Sequence, residues 1–145
     1  MLYTDKITIP ANTSKDSPVR KRITINEDTI VSVTFYFPPG HECLTGASVW
    51  YGNLQIFPST EGDWVRGHDS LITGELLWIT PETPCEIEIR AFNEDATYEH
   101  TIYFYINTAP SWYVFSPLYL QQMVSILSDI AQVFRQPVRK IERRW

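Results

Sequence analysis

The sequence predicts a mainly β protein: an antiparallel β-sandwich of jelly-roll or immunoglobulin-like layout, followed by a C-terminal α-helix and a basic tail. Short runs in which apolar and polar residues alternate recur through the first 110 residues, with turn residues between them. Aromatic residues make up 14% of the chain, and most lie in these runs, where β propensity is high. The pattern changes at Ala109-Pro110, so we expect a sandwich domain at 1–110 and a helix with a basic docking arm at 111–145.

Seven or eight short strands account for the first domain. Prolines such as Pro10, Pro38 and Pro81 stand at the ends of runs, as expected because proline cannot donate to a central ladder. We expect strands at 7–9, 19–25, 31–37, 47–51, 54–57, 76–79, 85–91 and 100–106, with an irregular segment at 58–70. In the third strand, Val31, Val33, Phe35 and Phe37 are predicted to face the core. The pattern does not define the strand order.

The segment after residue 110 contains an amphipathic helix with a wide apolar stripe. Ser116 is a favoured N-cap and Pro117 a favoured first helical residue, so we expect the helix to begin there. Apolar residues then recur at steps of three and four. Such a stripe needs a partner, either the chain's own sandwich or a neighbouring subunit. The predicted interface residues of the helix are Leu120, Met123, Val124, Leu127, Ile130 and Phe134.

Charge is distributed unevenly between the two segments. Residues 1–110 hold 7 Lys/Arg and 15 Asp/Glu, a net charge of −8, whereas residues 111–145 hold 5 and 2, a net charge of +3. The acidic body argues against direct nucleic-acid binding, and no run is apolar enough to predict a membrane span. The basic end is either a solvated tail or a docking arm for an acidic surface. The arm's predicted interface residues are Arg139, Lys140, Arg143, Arg144 and Trp145.

Residues with possible chemistry are few. Trp64, Arg66 and His68 lie in the segment 58–70, which is either a solvated surface loop or a ligand loop whose tryptophan stacks on a sugar. No nucleophile, acid and base can be assembled, and no spacing fits a metal site, so we expect neither catalysis nor a cofactor. His41 is interpreted as a turn residue. Cys43 and Cys85 either form a disulfide or are two unrelated thiols.

Several motifs carry a resemblance over residues 7–106: ITIPANTS, FYFPPG, LTGASVWYGNLQIFP, GDW and AFNEDATYEHTI. In them the chain resembles small β-sandwich virion structural proteins encoded among the structural genes of tailed viruses. The resemblance implies a non-enzymatic virion component made in the host cytoplasm, of decoration, minor capsid or connector type. Its expected partners are further copies of itself, the major capsid protein or other virion proteins. The alternative is a carbohydrate or cell-surface binding module that uses the Trp64 loop.

Overall fold

The computed structural model describes the backbone of residues 1–135 and the side chains of residues 1–132. Within these residues, nine strands form two antiparallel sheets. The strands are β1 (Leu2–Ile9), β2 (Val19–Ile25), β3 (Thr29–Phe37), β4 (Thr45–Tyr51), β5 (Leu54–Phe57), β6 (Val65–Arg66), β7 (Ser70–Ile79), β8 (Cys85–Asn93) and β9 (His100–Ala109). One sheet has the order β1-β9-β3-β7 and the other β2-β8-β4-β5, with β6 also pairing with β4. The predicted antiparallel sandwich is confirmed.

The strand order is that of a jelly roll. Four strand pairs are nested one outside the next, as in a single long hairpin rolled into two sheets. From the innermost outward they are β4–β5, β3–β7, β2–β8 and β1–β9. Apart from the stretch β4 to β6, every connection passes from one sheet to the other. Two Greek keys arranged in this way define the jelly roll. The topology therefore decides between the two layouts that the sequence left open.

The core lies between the two sheets and follows the period of two that the sequence predicts. On β9, Ile102, Phe104 and Ile106 are fully buried, and Ile87 and Ile89 of β8, in the other sheet, belong to the same core cluster. The buried aromatic residues Phe35 and Phe37 of β3 lie in the same layer. Because each large apolar side chain removed from water stabilises by about 1.5–3 kcal/mol, this layer alone gives the sandwich a substantial core.

The structure corrects four details of the predicted strands. β1 begins at Leu2 rather than at residue 7, and β7 begins at Ser70 rather than at residue 76. The segment predicted as irregular contains the short strand β6. In β3 the register shifts between Ile30 and Ser32, so a bulge turns Ile30, not Val31, into the core. Local alternation does not reveal such a bulge, because the partner strands are distant in sequence.

The chain divides into two compact units, Met1–Ser111 and a second unit that begins at Trp112. The helix α1 spans Ser111–Arg135, 25 residues. It begins five residues before the predicted N-cap at Ser116, and it continues through Pro117. The predicted helix start is therefore wrong. Two hydrogen bonds that Ser111 donates to Asp28 place the start at Ser111 instead.

Candidate functional site

The first turn of α1 is capped by a residue from a distant loop. Asp28, between β2 and β3, accepts a hydrogen bond from the Ser111 backbone N–H at 2.5 Å and from the Ser111 hydroxyl at 2.7 Å. A carboxylate at a helix N-terminus satisfies a free N–H and interacts favourably with the helix dipole. These hydrogen bonds, the Ser111 hydroxyl's above all, keep the pKa of Asp28 below its usual range. Asp28 thereby fixes where the helix begins.

Pro117 lies inside α1 without ending it. A proline has no N–H, so the carbonyl four residues earlier, that of Tyr113, loses its usual helical donor. The hydroxyl of Ser116 donates a hydrogen bond to this Tyr113 carbonyl at 3.0 Å. The Ser-Pro pair that predicts a helix start is here part of a continuous helix, because the serine replaces the missing donor.

The predicted interface residues of the helix share one exposed face. We call the following seven side chains, each 47–65% exposed, the apolar stripe: Tyr119, Leu120, Met123, Val124, Ile126, Leu127 and Ile130. The opposite face carries Gln121, Gln122, Ser125, Ser128, Asp129 and Gln132. Phe134 and the arm residues Arg139, Lys140, Arg143, Arg144 and Trp145 lie outside the described side chains. A contiguous exposed apolar surface of this kind is typical of an interaction site.

A second candidate surface lies at one end of the sandwich, where four loops meet. Arg66, next to the loop 58–64, forms an ion pair with Glu94 at 3.0 Å and donates to the Cys43 carbonyl at 3.3 Å. Lys15 reaches the same Glu94 at 2.6 Å. Arg66 and Lys15 keep the pKa of Glu94 below its usual range, with the Lys15 hydrogen bond as the largest cause. Four connections are thus joined around the carboxylate of Glu94. They are the segments between β1 and β2, β3 and β4, β5 and β7, and β8 and β9.

The structure brings the three predicted ligand-loop residues to this end, but each already has a partner within the chain. The ring of Trp64 is half-buried and packs edge-to-face on Phe92, with ring centroids 5.0 Å apart. The guanidinium group of Arg66 also lies over the Phe92 ring, 4.8 Å from its centroid. Nδ1 of His68 accepts a hydrogen bond from the Glu42 backbone N–H at 3.0 Å. Trp64 therefore uses part of its ring in a contact within the chain, and its role in a ligand loop stays a prediction.

Two further histidines meet at the same end, which the sequence did not indicate. His41, interpreted as a turn residue, is only 2% exposed. Its ring lies 4.5 Å from that of His100 and packs edge-to-face on Phe37, and its Nδ1 is 2.5 Å from the Thr45 hydroxyl. Burial, and secondarily the charge of His100, lowers the pKa of His41 to about 4. His41 is therefore neutral in the folded protein at neutral pH.

His100 connects the buried His41 to the carboxylate of Asp95. Its Nε2 lies 2.9 Å from Oδ2 of Asp95, and Asp95 also accepts hydrogen bonds from the backbone N–H groups of Thr97 and Tyr98. These bonds, that of Thr97 first, keep the pKa of Asp95 below its usual range. The cluster holds the loop between β8 and β9 against the loop after β3. Nothing in residue spacing could reveal it, since His41 and His100 are 59 positions apart.

Cys43 is exposed and Cys85 buried, and both are free thiols. Within residues 1–132, no three His, Cys, Asp or Glu side chains come together in a way that suits a metal ion. None of the described helices has the length and hydropathy needed to cross a membrane.

Comparisons with known proteins add little to this geometry. No protein-family model and no curated protein sequence matches the chain. Among solved structures, the chain is similar to the coat protein of tobacco streak virus at 10% sequence identity, covering 74% of this chain and 88% of that chain, with a TM-score of 0.29. A TM-score this low does not establish a shared fold, so the jelly-roll assignment stands on the strand order.

Proposed function

We propose that this chain is a non-enzymatic structural protein of a virus particle, a decoration, minor capsid or connector component that assembles through α1 and the basic arm. The observation that carries the proposal is the combination of a jelly-roll sandwich with an appended helix whose apolar stripe is exposed. Jelly rolls serve as viral capsid domains, and also as lectins and cupins. A lectin or cupin role leaves the exposed apolar helix without a use, whereas assembly would cover it.

The polar clusters of the described residues support a structural role over catalysis. Arg66 with Glu94, His100 with Asp95, and Asp28 with Ser111 each join loops or cap the helix. Burial raises the pKa of the Cys85 thiol, which makes it a poor nucleophile. These groups are used to hold the fold together, and a rigid sandwich is suited to serve as a building block of a shell.

The arrangement of the chain supports assembly through the segment after Ser111. The unit Met1–Ser111 is compact and has its own core. The helix that follows exposes its apolar stripe, and a monomer with such a surface would tend to aggregate. The net charge of −8 on residues 1–110 and of +3 on residues 111–145 gives the two segments complementary surfaces for neighbours.

The experiment is mass spectrometry of purified particles from cells infected with the virus that encodes this chain. We expect peptides of the chain in a fixed ratio to other virion proteins, and their loss from particles when the chain is truncated after Ser111. The truncation keeps the Asp28–Ser111 contact, so circular dichroism should show an intact sandwich. Particles that lack the chain, while the chain accumulates in the soluble fraction, would contradict the proposal.

A further inference from the structure

The apolar stripe of α1 follows a heptad. With Leu120 and Leu127 at position a, Met123 and Ile130 fall at position d, the pattern of helices that pack against one another. Position e holds Val124, and position g holds Tyr119 and Ile126. Positions b, c and f between residues 121 and 132 are all polar. The stripe is therefore a continuous seam that an identical helix can match.

The exposed area of the stripe fits a stable pair of helices. Full burial of a large apolar side chain removes about 60–120 Å² of apolar surface. Seven side chains that are 47–65% exposed thus offer on the order of 400 Å² per helix, or about 800 Å² for two helices. Since about 60% of an interface is apolar, the whole interface would bury about 1,300 Å². This value lies within the range of roughly 1,200–2,000 Å² for specific interfaces.

Charge favours one orientation of the two helices. The acidic sandwich precedes α1 and the basic arm follows it, while Asp129 is the one charged residue between positions 111 and 134 of the sequence. In a parallel pair, like charges would lie together at each end. In an antiparallel pair, the basic sequence that follows one helix comes at the same end of the pair as the acidic sequence that precedes the other helix, so unlike charges are brought together.

We propose that α1 pairs with α1 of a second copy of this chain in antiparallel orientation, the orientation favoured by the opposite net charges of the sequence before and after the helix. This inference rests on the proposed assembly function and names the partner of the apolar stripe. The pair is symmetric, because the same surface of each copy contacts the other.

Sedimentation equilibrium of the full-length chain tests the pairing. Leu127→Glu places a charge in the centre of the stripe, and the matched control Ser125→Glu places the same charge on the polar face. We expect the wild-type chain and Ser125→Glu to dimerise, and the dimer affinity of Leu127→Glu to fall at least about 100-fold, because both copies lose a buried leucine. A monomeric wild type at tens of micromolar, or equal affinities for the two variants, would overturn the pairing. Thermal unfolding of each variant checks that the sandwich stays folded.

The orientation is tested by neutralising the arm. In a variant that carries Arg139→Gln, Lys140→Gln, Arg143→Gln and Arg144→Gln, we expect the dimer at 0.1 M salt to weaken about tenfold, since several exposed charge pairs are lost. At about 1 M salt the difference should vanish, because the screening length falls to about 3 Å. A variant that dimerises as tightly as the wild type, or more tightly, overturns the antiparallel arrangement.

The two proposals fail in different ways. If the chain forms the antiparallel pair but is missing from purified particles, the pairing stands and the virion function is overturned. If the chain is present in particles but monomeric in solution, the pairing is overturned and the virion function stands.

Discussion

Acid should destabilise the sandwich through one buried histidine. His41 is 2% exposed and its pKa is about 4 in the folded protein, against about 6.5 in an unfolded chain. Between these values the unfolded state binds a proton that the folded state does not. Stability is therefore at its full value above pH 6.5 and falls as the pH drops toward 4.

The size of the loss follows from the two pKa values. Between pH 7.5 and pH 5, linkage through His41 should remove about 2 kcal/mol from the free energy of unfolding. Below pH 5 the carboxylate of Asp95, whose pKa is also lowered, adds to the loss in the same direction. The window from pH 7.5 to 5 therefore isolates the histidine from most carboxylate titration.

Urea unfolding followed by tryptophan fluorescence, at several pH values in this window, measures the effect. His41→Gln should lower stability at pH 7.5 but remove most of the pH dependence. His68→Gln is the control, because His68 is exposed and touches only the Glu42 backbone N–H among the described hydrogen bonds. It should keep most of the wild-type slope, since its charge is the last of the causes that lower the pKa of His41. A wild-type stability that is flat within about 0.5 kcal/mol over this range would refute the reasoning.

Two substitutions test the ends of the sandwich. Asp28→Ala removes both hydrogen bonds to Ser111 and should destabilise the first turn of α1 by about 1 kcal/mol. The expected sign is faster amide hydrogen exchange at Ser111, whose N–H loses its acceptor, and at residues 114–116, the first amides bonded within the helix, with the core unchanged. Unchanged exchange at these amides would show that the cap does not set the helix start. Trp64→Ala removes the edge-to-face contact with Phe92 and should lower stability by about 1–3 kcal/mol, whereas Trp64→Phe should retain most of it. A Trp64→Ala chain that is fully stable but loses binding in a glycan array would instead favour the carbohydrate-binding alternative.

Much of the sandwich was predictable because the alternation of apolar and polar residues within a strand indicates which side chains are buried. On β8 and β9, apolar residues at every second position identify both the strand and its inward face. The predictions were wrong where a neighbour distant in sequence overrides this local pattern. The bulge at Val31 depends on the register of β3 with β7 and β9, and the helix start depends on Asp28, 83 positions before Ser111.

The candidate surfaces, too, were predictable only where they depend on residues that are near one another in the sequence. The apolar stripe of α1 was visible because helix faces follow from spacing alone. The partners of Trp64, Arg66 and His68 were not visible, since Phe92, Glu94 and Glu42 come from other loops. A tryptophan in a loop has no periodic neighbours, so the sequence does not indicate whether its ring is free.

By itself, the sequence determined the class of the fold, the acidic sandwich followed by a basic end, and the apolar face of the helix. These properties arise from composition and from periods of two and 3.6 residues, which depend only on near neighbours. Only the tertiary structure decided the jelly-roll order of the strands, the burial of His41 beside His100, and the capping of α1 by Asp28. Each of these joins residues that are far apart along the chain, and the energy of such a contact exists only after both sides have been brought together.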